Sequence, residues 1–570
     1  MRFPAAKIIV LLCLLLGFTN LAIANTYDSI EYNLNLINIK DSVLKVEIIL
    51  RGKFKNKLVL DLPSKWAGAS YVDQIKNIEV NPNSCVELKQ ENNNSQAIIS
   101  IPKTSSNSVK ITYEIHQKAG NPSNVHEAIV RDDLVHTPGY GIFATPFDLN
   151  ENDKINVTIK WINLDSQWNT ISSHGAKNNI NLNITAHELL HAIYVAGRIR
   201  VYNVGTDSQP ILLSLYGHFD IEDKRMASDL GEIINSQRAF FNDFDFPYYA
   251  ISLIEGDNPS SMGGTRLSDS FTAFLPQGMH KNDYYILFAH EHLHNWIGGK
   301  IRKDKDEELH YWWSEGFTDF YSRLIALRSK GIDKKAFVDE MNKFLRAYYL
   351  SPVNQEPNLR IKKDFWNDYD IEKLPYYRGL VFALYLNNLL QKESPDTSLD
   401  EIMHDLFKVA NEQHFSSSLF KDIVHKYVKN GIENEMMSFI EKGNIISLEG
   451  INLPIEKVSM GRYYLGFNSD ILIKDQSIQE IDIKSNAYKA GLRYGQKVTG
   501  WDCPKGKGDP EQIITIETMA GTFKFKPEHY NKIEIYQLRT DLLEQEEKQF
   551  NKFFGINVNA EADNGLLIPE

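Results

Sequence analysis

Cysteine is nearly missing from this chain of 570 residues: there are three, and only Cys85 and Cys503 lie beyond the first 24 positions. That count excludes a disulfide framework and a cysteine-ligated metal site. An excess of positive charge is missing too. Lys and Arg number 62 against 74 Asp and Glu, for a formal net charge of −12. Nucleic acids and anionic membrane surfaces are bound by cations that neutralise phosphates, so neither is an expected partner. Beyond residue 24 no apolar run approaches the roughly 20 residues of a membrane span. Low-complexity tracts and repeats of solenoid length do not stand out either. What remains is a globular composition on a chain too long for one hydrophobic core, hence multidomain.

The first 24 residues differ from everything after them. Arg2 and Lys7 flank the start of an apolar stretch, 8–18, and Ala22-Ile23-Ala24 follows it. This is the pattern of a cleaved secretory signal peptide, and the stretch is too short for a span. The mature chain is therefore expected to be exported, periplasmic or extracellular, with no stable membrane span.

From residue 25 to 204 short runs such as "YNLNLINI", "KVEIIL", "VKITYEI" and "INVTIKWI" alternate with period two between Asn, Lys, Pro and Gly. Half-buried antiparallel strands read this way, and about seven of them predict a β-sandwich-like domain. Over 205–446 the period lengthens, as in "DKRMASDLGEIINSQRAFF", and amphipathic helices dominate after residue 281. Short strands return over 447–550, ahead of a tail at 551–570. The fold class expected is multidomain α+β.

Two stretches carry HExxH: His187-Glu188-Leu189-Leu190-His191 and His290-Glu291-His292-Leu293-His294. The motif holds a metal only on a helix, where i and i+4 share a face and the intervening Glu can reach the metal's water. Around 290 the sequence "YYILFAHEHLHNWI" continues without a breaker from Asp283, a candidate cap, to a stop at Gly298-Gly299. Around 187 strand-like text closes in on both sides and leaves room for about two turns. The second stretch is also followed by "LHYWWSEGFTDFYSRLIAL", a helix that offers Glu315 as third ligand. Asp319, four residues on, can orient an imidazole. On a β-strand His290, His292 and His294 would instead point one way, but that reading leaves Glu291, Glu315 and Asp319 unused. On a helix His292 is turned about 200° away from His290.

"HEHLHNWIGG" with "WWSEGF" resembles the gluzincin metallopeptidases, and shares His-x-Trp-x-Gly with the aminopeptidase N family. The layout is closer to the glycyl aminopeptidase family, which implies a β-rich N-terminal domain, a thermolysin-like catalytic domain and a C-terminal PDZ domain. The resemblance implies one Zn2+ per chain on His290, His294 and Glu315, with Glu291 as general base and a peptide or protein as substrate. "LPYYRG" resembles a Pro-Tyr-x-x-Gly segment and makes Tyr376 the oxyanion-stabilising phenol, with Tyr377 the alternative by one register. "SSMGGTRLSDSF" occupies the position of the substrate-edge strand, where Gly263 and Gly264 let a peptide approach the backbone. The aminopeptidase N family carries an amine-gripping Glu in this segment, whereas this chain has Thr265 and Arg266. Asp269 is a candidate replacement. The family implies an aminopeptidase favouring small N-terminal residues; an endopeptidase of the same fold, or a silent peptide-binding protein, are the other readings. "YYLGF" resembles a PDZ carboxylate loop, so Leu465, Gly466 and Phe467 would receive a C-terminal peptide.

Overall fold

The structure is a computed structural model. It describes residues 25–556 apart from 67–68, 82–83, 92–93, 102–106, 118–124, 150–152, 247, 257–262, 277, 280, 469–471, 473–474 and 503–508. The expected signal peptide and Cys503 lie outside the described residues. The chain divides into two compact units. One comprises Met1–Gly120, His126–Ser166 and Lys177–His191, and the other Asn121–Val125, Gln167–Ala176 and Ala192–Glu570.

The first unit is β-rich. A six-stranded sheet runs Asn179–Ile184, Ile155–Ile162, Thr26–Asn35, Val43–Lys53, Ser108–His116, Ile75–Asn81. Alternation sets its faces: Ile30, Tyr32 and Leu34 are buried, as are Leu44, Val46, Ile48 and Leu50 on the paired strand. A four-stranded sheet holds Thr145–Pro146, Lys57–Leu62, Asn94–Ser100 and Cys85–Glu91. One pairing departs from the antiparallel expectation: Thr26–Asn35 lies parallel to Ile155–Ile162, with Ile30 opposite Val157. No hairpin joins these distant segments, so the chain is free to return in either direction, and period-two text is blind to direction.

The second unit is α+β. Its five-stranded sheet runs Arg200–Asn203, Ile211–Tyr216, Tyr249–Glu255, Ser270–Leu275, Gly263–Leu267. The three inner strands are parallel to one another and almost wholly buried, and Gly263–Leu267 closes one edge as an antiparallel hairpin partner of Ser270–Leu275. The helix Asp223–Phe241 connects two of the parallel strands and buries Met226, Leu230, Ile233, Ile234 and Phe241 at helical spacing. Next come the helices Lys281–Leu293, Gly316–Arg328, Lys334–Leu350 and Tyr369–Glu393. A close crossing joins two of them: a Cβ on Gly316 would stand 2.4 Å from the Gly379 Cα, and one on Gly379 would stand 1.8 Å from the Trp312 carbonyl oxygen. Any larger residue at either place would force these helices apart.

The C-terminal strands belong to this unit as well. Ile455–Tyr463 pairs with Glu528–Leu538, and Val498–Asp502, Ile514–Thr518 and Gly521–Phe525 form a second small sheet beside the short helix Asn486–Lys489. They enclose a small core of their own, which includes Phe467, Leu492, Ile514 and Phe525. Arg346 of the helical region clasps Asp509 through Nε (2.7 Å) and Nη2 (2.8 Å). The final helix, Glu544–Phe553, runs past residue 550, where the tail was expected to begin, and Phe550, Phe553 and Phe554 are buried against the helical core.

Candidate metal centre

The helix Lys281–Leu293 carries His290 and Glu291 on its last turn, and His294 opens the turn that follows. The helix stops before the glycines expected to end it. The Asn295 side chain explains this, since its Nδ2 donates to the His292 carbonyl (2.7 Å) and to the Tyr249 hydroxyl (3.0 Å), drawing that carbonyl out of the helical ladder. Glu315 sits where Tyr311–Ser314 meets Gly316–Arg328. The Nε2 atoms of His290 and His294 stand 3.1 Å apart, and Glu315 Oε2 lies 3.5 Å from the first and 3.4 Å from the second. Ligands about 2.1 Å from a tetrahedral zinc ion stand about 3.4 Å from one another, so this triangle has the dimensions of a zinc face. Among the described residues no second cluster of His, Cys, Asp or Glu converges in this way.

The outer nitrogens fix the tautomers. His294 Nδ1 lies 3.1 Å from the Ile297 carbonyl, which only accepts, so Nδ1 carries the proton and the Nε2 lone pair faces the centre. His290 Nδ1 likewise donates to Asp319 Oδ1 at 3.0 Å. Asp319 is held in turn by Arg323, whose Nη1 donates to its Oδ1 (2.9 Å) and backbone oxygen (3.0 Å). Arg323 also reaches Glu340 (3.1 Å) and packs over the Phe344 ring at 4.3 Å. Sequence spacing gave Asp319, but the Arg323–Glu340 buttress was missed. Arg323 is four residues beyond Asp319 on the same helix face, and that spacing was the available signal.

Burial disfavours charge on every group here, and the partners decide the outcome. For His290, Asp319 and Glu315 outweigh burial and hold its pKa up to about 10 when no ion is present, so a metal must displace a proton. Burial raises the Glu315 carboxyl, yet the two imidazoles hold it well below its usual range. Glu291, 8% exposed, is different: burial wins and its pKa is raised. Gly264 lies against it. A Cβ there would meet Glu291 Cγ at 2.9 Å and Oε1 at 3.0 Å, whereas one on Gly263 would meet nothing within 4 Å. The glycine-bearing segment is thus an edge strand whose backbone borders Glu291. Asp269 sits in the turn between that strand and Ser270–Leu275, with φ +44.

The two tyrosines pack differently. The Tyr376 ring lies nearly parallel to His290, at 16° and 6.3 Å between centroids, and burial raises its phenol further above the usual range. Tyr377 turns away to an edge contact with Phe344 at 5.6 Å. The Gly316–Gly379 crossing brings Tyr376, less than a turn from Gly379, to Glu315. His292 is fully buried, with Nδ1 2.6 Å from Gln237 Oε1 and its ring edge-on to Tyr249 and Trp296. It packs the helix onto the sheet, as its position opposite His290 predicts.

The first HExxH forms only the five-residue helix Ala186–Leu190. Glu188 accepts from the Thr185 amide (2.8 Å) in a capping box, and the His187 and His191 rings stack at 4.0 Å. In the C-terminal module Gly466 adopts φ +82 with its backbone against Ser485, Phe467 enters the small core, and Leu465 packs beside it.

Residues 283–369 match the family model of the M61 glycyl aminopeptidases. Among solved structures, the chain is similar to an aminopeptidase N family protein from Idiomarina loihiensis, with 15% identity and a TM-score of 0.69 over 92% of this chain and 100% of that one. This likeness shows a common fold. An M1 zinc metallopeptidase from Deinococcus radiodurans follows at 14% identity, with a TM-score of 0.47 over 75% of this chain and 96% of that one. The matched segment contains both histidines, Glu291, Glu315 and Asp319. Over this segment the chain is similar to the M61 glycyl aminopeptidases, and the match supports a metallopeptidase.

Proposed function

We propose that this protein is an exported aminopeptidase that removes small N-terminal residues from peptides, with one zinc ion held by His290, His294 and Glu315. The observation that carries this reading is the triangle of ligand atoms beside a buried carboxylate, Glu291, under a strand edge that only Gly264 leaves open. Bound there, zinc would supply a Lewis acid for the peptide carbonyl and lower the pKa of water toward 7. Glu291 takes the proton of the attacking water, and its burial-raised pKa suits it to return that proton to the leaving amine. Tyr376 donates its phenolic hydrogen to the carbonyl oxygen as negative charge builds there. Asp319, braced by Arg323, keeps the His290 ring in register. Gly263 and Gly264 let the extended substrate lie along the edge strand, with Asp269 the carboxylate assigned to its amine. Leu465, Gly466 and Phe467 of the PDZ-like module take a C-terminal peptide.

A zinc endopeptidase is the second reading, favoured by one observation: Arg266 stands in the segment where an aminopeptidase needs a carboxylate. The two are separated by cleavage of matched short peptides with free and N-acetylated termini. An aminopeptidase refuses the acetylated set, because its site is built around an ammonium. Equal cleavage of both sets removes the aminopeptidase and leaves the endopeptidase standing.

A further inference from the structure

Directly paired residues of an antiparallel hairpin share a face. Gly264 pairs with Ala273 and Arg266 with Phe271. Phe271 is fully buried and packs on Phe288 of the HExxH helix, 5.7 Å between ring centroids, so this face looks toward that helix. A Cβ on Gly264 would point the same way, into Glu291. Arg266 lies two residues farther along the same face, about 7 Å from Gly264 at the rise of a strand. Its side chain is exposed. Among the described residues it donates no hydrogen bond and no carboxylate lies within 4.0 Å of it, and the same holds for the exposed side chain of Arg302. The surroundings agree. Tyr249, whose hydroxyl accepts from Asn295 beside the metal-binding turn, feels Arg266, Asp269 and Glu291 together. Arg302 is close enough to act on Arg266, so two guanidiniums put positive charge near the strand that borders Glu291.

We propose that Arg266 is a specificity-determining residue of this peptidase, selecting substrates that carry a carboxylate within two residues of the scissile bond. This rests on the peptidase reading of the site; in its aminopeptidase form the carboxylate lies on the C-terminal side of the cleaved bond, because only one residue precedes that bond. The bond under attack lies opposite Gly264, because Glu291 is there, and an extended substrate advances at the same rise as the strand it lines. A substrate group two residues away therefore meets the Arg266 guanidinium, whose planar fork matches a carboxylate in two parallel hydrogen bonds. A lysine or a free ammonium at that point is repelled. Asp269, two residues past the strand in the turn, makes no ion pair with Arg266 and leaves it to engage the substrate.

The test is a peptide series of one sequence in which Glu, Gln or Lys occupies each of the two positions on either side of the cleaved bond. Each peptide is made with a free and an amidated C-terminus, which separates a side-chain carboxylate from the terminal one. The full chain is assayed as wild type, Arg266→Ala, Arg266→Lys and Arg266→Glu, each checked for zinc content and melting temperature. At one position, the wild type is expected to favour Glu over Gln about tenfold or more in kcat/KM, the size of a charge-assisted bidentate contact. Arg266→Ala abolishes that ratio, Arg266→Lys keeps part of it, and Arg266→Glu turns the preference toward Lys. The same Glu-to-Gln ratio in wild type and Arg266→Ala overturns the proposal, as does an Arg266→Glu variant that still favours Glu. Failure of the zinc-loaded wild type to cleave any peptide of the series overturns the peptidase reading itself, a separate outcome.

Discussion

Adding one methyl group at Gly264 should disable the general base without touching the metal. In Gly264→Ala the new Cβ would stand 2.9 Å from Glu291 Cγ and 3.0 Å from both Cδ and Oε1, where ordinary contacts begin at 3.4 Å. The carboxylate must therefore give way by roughly half an ångström, and displacements of about 1 Å at a catalytic group cost on the order of 100-fold in rate. We expect kcat/KM for a short peptide to fall by about 10- to 100-fold. Zinc content should be retained, because no ligand atom is among the neighbours of that Cβ. Gly263→Ala is the matched control, with nothing within 4 Å of its Cβ, and should lose far less. The assay is steady-state hydrolysis alongside zinc analysis of both variants. A Gly264→Ala enzyme with wild-type kcat/KM would refute the claim that this strand borders the base, and so would equal losses in the two variants.

Three further outcomes follow from the same geometry. Asp319→Ala removes the acceptor from His290 Nδ1 and should weaken zinc about 10- to 100-fold, read by chelator competition. Tyr376→Phe should lower kcat by about 100-fold or more with little change in KM, while Tyr377→Phe, which alters a ring packed on Phe344, should stay near wild type. The double variant His187→Ala, His191→Ala should keep its zinc and its turnover, because Glu188 is engaged as a helix cap and the two rings stack on each other.

The convergence of the candidate site residues was legible because their logic is local. His290, Glu291 and His294 lie within a turn, Glu315 and Asp319 within the next helix, and i to i+4 spacing assigns each to a face. The coincidental motif at 187 was legible for the same reason, since strand text on both sides allowed no helix long enough. What escaped was whatever depends on distant segments meeting. The different surroundings of Tyr376 and Tyr377 turn on the Gly316–Gly379 crossing, which joins helices whose glycines lie 63 residues apart in sequence. Glu340 closes on Arg323 from a neighbouring helix. Thr26–Asn35 pairs with a strand more than a hundred residues later, and period-two text carries no direction. The end of the HExxH helix was misread because a glycine pair is a strong stop signal, while Asn295 stops the helix earlier by a side-chain bond that depends on Tyr249 from the sheet.

The central claim is that peptide hydrolysis depends on one zinc ion held by the second HExxH stretch and Glu315. The most direct measurement is metal content per chain, together with peptide turnover, for the wild type and for His290→Ala, His294→Ala made as a double variant. The account predicts one zinc per wild-type chain, and loss of both metal and turnover in the double variant with the melting transition still cooperative. A double variant that still carries one zinc per chain, or still cleaves peptides at the wild-type rate, would contradict it.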